Sequence, residues 1–199
     1  AATAVGEVVP AMAEPGIEQE FSYFLRSQVP NGGSGFERIV LQSSVPMQLH
    51  QVLIDGQSVE PLIEAGDAAD DELELRLVLP EPVRGESLAE LRFAATIFQN
   101  NTRFRAFLER GKGQAEVRQR VDPGNAAPDS LAGTDIVSLP VDAELIVNLA
   151  VGTAFTPNGD GVNDVLRFSF DVLKLLAARP VRADIFDLQG RLWRRLGTE

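Results

Sequence analysis

Apolar residues recur at every second position along most of this chain, and that period constrains the fold more than any other feature. In "ELELRLVL", Leu73, Leu75, Leu77 and Leu79 fall on one side, and Glu72, Glu74 and Arg76 on the other. Successive side chains of a strand point to opposite faces, whereas a helix would scatter this pattern around its axis. "AELRFAATIF" repeats it with Leu91, Phe93, Ala95 and Ile97 directed inward. "AEVRQRV" sets Val117 and Val121 against Glu116, Arg118 and Arg120, and "ELIVNLAV" alternates Leu145, Val147, Leu149 and Val151. Further strands are expected over 20–27, 36–44, 47–54 and 102–110.

Turn-forming clusters separate these runs: "PNGGSG" (30–35), "DG" (55–56), "GDAADD" (66–71), "RGES" (84–87), "QNNT" (99–102) and "GKG" (111–113). Many short strands with polar turns indicate an antiparallel sandwich or barrel. One polar face per strand gives each sheet one solvated side, as in a two-layer sandwich. Two stretches could hold a short helix, "AMAEPGIEQEF" and "SFDVLKLLAARP"; the second could equally be a strand end and loop. "DPGNAAPDSLAGTD" (122–135) reads as a long loop or crossover, and "IVSLP" and "AELIVNLAV" are expected to close the first sandwich after it. The expected division is an N-terminal extension over 1–17, a sandwich over 18–151 and a second unit over 152–199.

Charge and composition narrow the function. The formal net charge is −11, with 29 Asp and Glu against 18 Lys and Arg. Nucleic-acid binding requires clustered cations, so this balance argues against it, and against anionic membrane surfaces. There is no cysteine, which removes disulfides, zinc–thiolate sites and cysteine nucleophiles. No apolar run approaches the ~20 residues of a spanning helix. The opening "AATAVGEVVPAMAEPG" has neither the charged start nor the long apolar stretch of a secretory leader.

The densest cluster of special residues is "AFTPNGDGVNDVLRF" (154–168), with two Gly, two Asn and two Asp between Asn158 and Asp164. Asn158, Asp160, Val162 and Asp164 stand at every second position, like the first half of an EF-hand loop. The Asn158 amide oxygen, the Asp160 and Asp164 carboxylates and the Val162 carbonyl would form a hard oxygen set suited to Ca²⁺. The bidentate Glu that completes an EF-hand is missing. The other reading is an Asx-type turn, in which these side chains bond backbone amides.

"FTPNGDGVND" also resembles the start of an immunoglobulin-like module found at the C-termini of large bacterial surface and secreted proteins. Its relatives are the Ig-like domain of flagellar hook-capping proteins and the gliding-motility-associated C-terminal domain of type IX secretion. "VRADIFDLQGRLWRRL" (181–196) is similar to the hairpin of that family, with Gly190 at a position needing positive φ. The resemblance covers residues 153–199. It implies an all-β chain of two consecutive antiparallel β-sandwich (Ig-like) modules, the second incomplete. It further implies an extracellular or cell-surface location and a non-catalytic role in adhesion, assembly, surface display or export. The partners would be other domains or subunits of a surface assembly. Such a module normally runs on to a final strand beyond the hairpin. The remainder could lie further along, could have been cut away, or could be replaced by a strand donated by a partner.

Other chemistry has little to stand on. His50 is the only histidine and lies in an expected strand without an obvious partner. No nucleophile-elbow, zincin or Walker pattern occurs. A carbohydrate-binding accessory module is the alternative, since many are sandwiches with Ca²⁺, but the chain offers only Trp193 and Tyr23 besides its phenylalanines. Arg103, Arg105 and Trp193 are the candidate partner-binding residues. "GDAADDE" (66–72) is an acidic turn or a second cation site.

Overall fold

The computed structural model describes residues 3–33, 35–65, 72–110, 118–140, 144–152, 155–156, 158–173, 180–187 and 189–197. All regular structure among them is β. The first group of strands is β1 (Thr3–Val9), β2 (Glu18–Gln28), β3 (Phe36–Ser43), β4 (Gln48–Ile54), β5 (Gln57–Val59) and β6 (Leu62–Ala65). Next come β7 (Leu73–Val83), β8 (Glu86–Thr96), β9 (Thr102–Arg103), β10 (Arg105–Glu109), β11 (Gln119–Arg120), β12 (Asp122–Pro123) and β13 (Ile136–Val137). The C-terminal strands are β14 (Ile146–Val151), β15 (Phe168–Val172), β16 (Arg182–Phe186) and β17 (Leu192–Gly197).

Two sheets form a sandwich. One has the order β12-β1-β2-β8-β4-β5 and the other β11-β10-β3-β7-β6. β2 and β8 pair antiparallel from Glu18↔Thr96 to Gln28↔Glu86 without a slip. That register puts Phe21 opposite Phe93 and Tyr23 opposite Leu91, all buried. The facing sheet contributes Ile39, Leu41, Leu77 and Leu79 to the same apolar cluster. Leu91, Phe93, Ala95 and Ile97 all point into this core, as their alternation predicts.

Phe21, Phe93 and Phe104 make a triangle with ring centroids 5.9, 6.1 and 5.3 Å apart. Each such pair adds about 0.5–1.5 kcal/mol beyond the area it buries. Phe104 also divides the strand expected over 102–110. Its N–H donates to the Asp135 carbonyl (2.8 Å), so β9 pairs with β13 while β10 pairs with β3.

Residues 1–17 are not a simple extension. Thr3–Val9 pairs with β2 along seven residues inside the larger sheet. The sequence conceals this strand because Gly6 and Glu7 interrupt its apolar pattern. Gly6 is required there: a Cβ would fall within the phenol of Tyr23. The region expected to hold a helical turn, near residue 15, is an irregular turn.

The 122–135 loop belongs to a strap that follows the outer edge of β1. It pairs in parallel at Val5↔Asp122 and Gly6↔Pro123. Further on, Val8 N–H donates to the Thr134 carbonyl (2.8 Å) and Ala13 N–H to that of Ser138 (3.0 Å). The strap thereby satisfies backbone groups that a bare sheet edge would leave open. Glu7 points away from the sandwich core yet is wholly buried, because the strap folds over it.

The "ELIVNLAV" segment does not close the first sandwich. β14 pairs with β15, from Ile146↔Val172 to Val151↔Phe168, so sheet pairing crosses residue 152. Asn148 adopts φ +54° beside a bulge, and its Nδ2 donates to the Gly16 carbonyl (3.0 Å) and to Asp171 Oδ2 (2.8 Å). Leu145, Leu149 and Val151, expected to face inward, are 53%, 64% and 53% exposed. β16 and β17 form a separate hairpin. Among the described residues no helix is long and apolar enough to cross a membrane.

Phe93→Ala, which removes two of the three ring contacts, is expected to lower unfolding free energy by about 3–5 kcal/mol in urea titration. Leu131→Ala, at a side chain 91% exposed, is expected to stay within about 0.5 kcal/mol. Equal effects would show that the ring cluster is not the centre of the core.

Candidate functional site

Two features of the C-terminal half could carry function, a glycine-rich loop and an exposed apolar face. The loop explains its own composition. Gly159 and Gly161 have φ of +80° and +83°, and Asn163 has +57°. These are conformations that Gly adopts freely and Asn tolerates. The turning backbone directs its N–H groups at the loop's own side chains. Asp164 Oδ1 accepts from Gly159 N–H and Oδ2 from Gly161 N–H, both at 2.7 Å. Asp160 Oδ1 accepts from Val162 N–H (2.8 Å) and Oδ2 from Asn158 Nδ2 (2.9 Å). Asn158 Oδ1 accepts from Asp160 N–H (3.2 Å). The Val162 carbonyl accepts from Thr156 Oγ1 (3.3 Å).

Each oxygen that the sequence assigns to a cation therefore already receives a donor from the loop. The Asx-turn reading accounts for these hydrogen bonds. The Gly159 and Gly161 amides hold the Asp164 carboxyl below the ordinary range. The Val162 amide, then Asn158, do the same for Asp160. Both carboxylates are exposed and ionised at neutral pH, and each keeps acceptor capacity beyond the bonds it makes. A calcium ion would have to use that remainder. No group of three or more His, Asp or Glu side chains converges at metal-binding distance among the described residues.

The second feature is apolar. Leu145, Ile146 and Leu149 join Phe168, Phe170 and Val181 in lining an open concavity of ≈ 450 Å³. Phe168 and Phe170 stack with centroids 6.2 Å apart. The alternation of "ELIVNLAV" marks the strand but says nothing about whether its apolar side will be covered, so sequence reading missed this face.

The remaining candidates are scattered. Trp193 is 72% exposed on β17. Its hairpin is closed by Asp187, whose Oδ1 accepts from the Gln189 and Arg191 amides, both at 2.9 Å. Gly190 has φ +79° at the turn. Arg103 is paired with Asp135 (3.5 Å) and Arg105 with Glu72, so both guanidinium groups are engaged within the chain. His50 does have a partner: its Nδ1 lies 3.0 Å from Glu20 Oε1, brought close by a bulge between Leu49 and Gln51. Tyr23 is buried and cannot serve as a sugar-stacking platform. The acidic turn over 66–72 lies outside the described residues except for Glu72.

No family model and no curated protein matches the chain. Among solved structures it is similar to the Bacillus cereus major pilin subunit BcpA, at 10% identity and TM-score 0.41, over 70% of this chain and 40% of that one. It is similar to a 35 kDa C-terminal fragment of the Streptococcus agalactiae major pilin GBS80, at 9% identity and TM-score 0.40, over 61% and 54% of the two chains. A cohesin module from a Clostridium perfringens glycoside hydrolase aligns at 9% identity and TM-score 0.36, over 61% of this chain and 98% of that one. The chain thus spans about half or less of the two pilin chains.

Asp164→Asn keeps one acceptor oxygen and loses the other. Faster amide exchange at Gly159 and Gly161 is the expected result, with β2 and β8 unchanged. Because the Asp164 carboxyl is held low, its contribution is present above the ordinary carboxylate range and is lost as pH falls through the lowered value. The same amides should therefore lose protection in acid, and unchanged exchange in both conditions would remove Asp164 as the anchor of the loop.

Proposed function

We propose that this chain is a non-catalytic structural module of a bacterial surface or secreted assembly, and that its C-terminal apolar face receives a β-strand from another domain or subunit. The observation that carries this reading is the uncovered concavity of Leu145, Ile146, Leu149, Phe168, Phe170 and Val181. Covering apolar surface gains roughly 25 cal/mol per Å², and a contiguous exposed apolar patch on a folded protein marks an interaction site. A strand suits the face because β14–β15 and β16–β17 are two-stranded, and among the described residues no further strand pairs with their outer edges. Strand addition uses such edges for affinity and apolar pockets for specificity. The acidic surface keeps the remainder of the chain soluble.

Calcium at Asn158, Asp160, Val162 and Asp164 accompanies this reading. Its support is the pair of exposed, ionised carboxylates in a preformed loop, a donor set consistent with weak, millimolar-range affinity.

Calorimetric titration with synthetic strands of alternating Val and Thr should show binding with a negative heat-capacity change. Leu149→Glu should weaken it at least about tenfold, equivalent to about 1.4 kcal/mol. A chain that binds no strand, or binds equally well after Leu149→Glu, would sink the docking face. Separately, a melting temperature that rises in about 10 mM calcium and falls with chelator is expected if the loop takes the ion. An unchanged melting temperature leaves only the hydrogen-bonded turn.

A further inference from the structure

Glu7 lies at the centre of β1 with its side chain on the outer face of the sheet, and it is wholly buried. Its carboxylate receives four donors from the strap. Oε1 accepts from the Ala126 and Ala127 amides at 2.8 and 2.5 Å. Oε2 accepts from Ser130 Oγ and the Gly133 amide, both at 2.9 Å. Gly133 reaches this position with φ +54°, and a Cβ there would collide with Asn125 Oδ1. The strap backbone has therefore shaped itself around one carboxylate.

From this geometry we infer that Glu7 is a latch, whose protonation or neutralisation frees the 124–134 strap while the sandwich beneath stays folded. The reason is donor counting. An ionised carboxylate is acceptor-only and can take all four bonds. A protonated or amide side chain turns one acceptor into a donor; the Ala126, Ala127 and Gly133 amides cannot accept it, and the Ser130 hydroxyl can do so only by turning its own proton away from Glu7. A buried donor left without a partner costs about 1–3 kcal/mol. The strap is pinned to β1 at its two ends, where Gly124 N–H donates to the Gly6 carbonyl and the Thr134 carbonyl accepts from Val8 N–H; between them its backbone makes no ladder with the sheet, and besides the Arg26 bond to the Ala126 carbonyl the Glu7 carboxylate is what gathers its amides. β2 and β8 do not touch the carboxylate with any donor, so their pairing survives.

Burial pushes the Glu7 carboxyl up, but the donors from Ala127, Ser130, Gly133 and Ala126 outweigh it and hold the group low. The latch is accordingly closed above the ordinary carboxylate value of 4.5 and opens as pH falls through the lowered one. Among the described residues no charged side chain forms a salt bridge with Glu7. Of the charged groups on the elements packed there, Arg26 on β2 donates to the Ala126 carbonyl (3.1 Å). Asp122, Asp129 and Asp135 lie on the strap and its flanks, and Asp135 faces Arg103 of β9.

Amide hydrogen exchange, corrected for intrinsic rates, tests the latch in the full chain from pH 6 downward, with the Glu7 side-chain carboxyl followed by NMR in the same series. In the wild type, protection at Ala126, Ala127 and Gly133 should fall at least about tenfold as Glu7 takes up its proton, with β2 and β8 unchanged. Glu7→Gln should show the open strap already at pH 6, and no further change in acid. Strap protection retained once Glu7 is protonated, or loss of strap and β2–β8 protection together, would overturn the proposal. A strap in Glu7→Gln that still responds to pH would assign the acid response to Asp135 instead and would equally overturn it. If Glu7→Gln does not fold, the wild-type pH series decides by the same two readouts. Ser130→Ala, which removes one donor to Glu7 and the acceptor of the exposed Ala132 amide but places no donor against a donor, should change protection at Ala126, Ala127 and Gly133 only about threefold or less.

Discussion

The uninterrupted pairing of β2 with β8 is the constraint from which the rest of the sandwich follows. Eleven consecutive residue pairs leave no freedom of register, and a slip by one would turn every side chain to the wrong face. Once Phe21 stands opposite Phe93 and Tyr23 opposite Leu91, the inner face is large and aromatic, and a second layer has to cover it. β3 and β7 supply that layer. Phe104 then joins the two halves by entering the ring cluster from the point where the chain leaves one sheet system for another.

The same core explains a small residue on its border. Tyr23 needs room, and Gly6 provides it by having no side chain. The burial of Glu7 is the consequence on the opposite face. β1 carries a glycine inward and a carboxylate outward, and the latter is covered here by three backbone amides and the Ser130 hydroxyl. Residues 122–135 are rich in Pro, Gly, Asn and Asp, which looked like a mere connection. Those residues let the backbone curl its amides toward Glu7.

How much of this was legible in the sequence depends on what kind of information a position carries. Alternation reported which side of a strand is apolar, and for Leu77, Leu79, Leu91, Phe93 and Ile97 that side is buried. Gly190 in its hairpin turn announced positive φ, which the backbone adopts. Alternation could not report whether anything lies against the apolar side, and so Leu145, Leu149 and Val151 looked like core while standing in the open. Oxygen spacing was equally blind to the partner. A cation and a ring of amide N–H groups both satisfy carboxylates at every second position, and in this loop the amides do so. The strand at Thr3–Val9 was hidden because its meaning lies in Tyr23 and in the strap, neither adjacent in sequence.

The placement of β1 between β2 and the strap has a mechanical consequence. Tension along the axis of this strand cannot peel it away one hydrogen bond at a time. It must shear the seven antiparallel pairs with β2 together with the parallel contacts on the other side. Bonds lying across the direction of pull share the load, so this strand resists stretching as a unit instead of unzipping from one end.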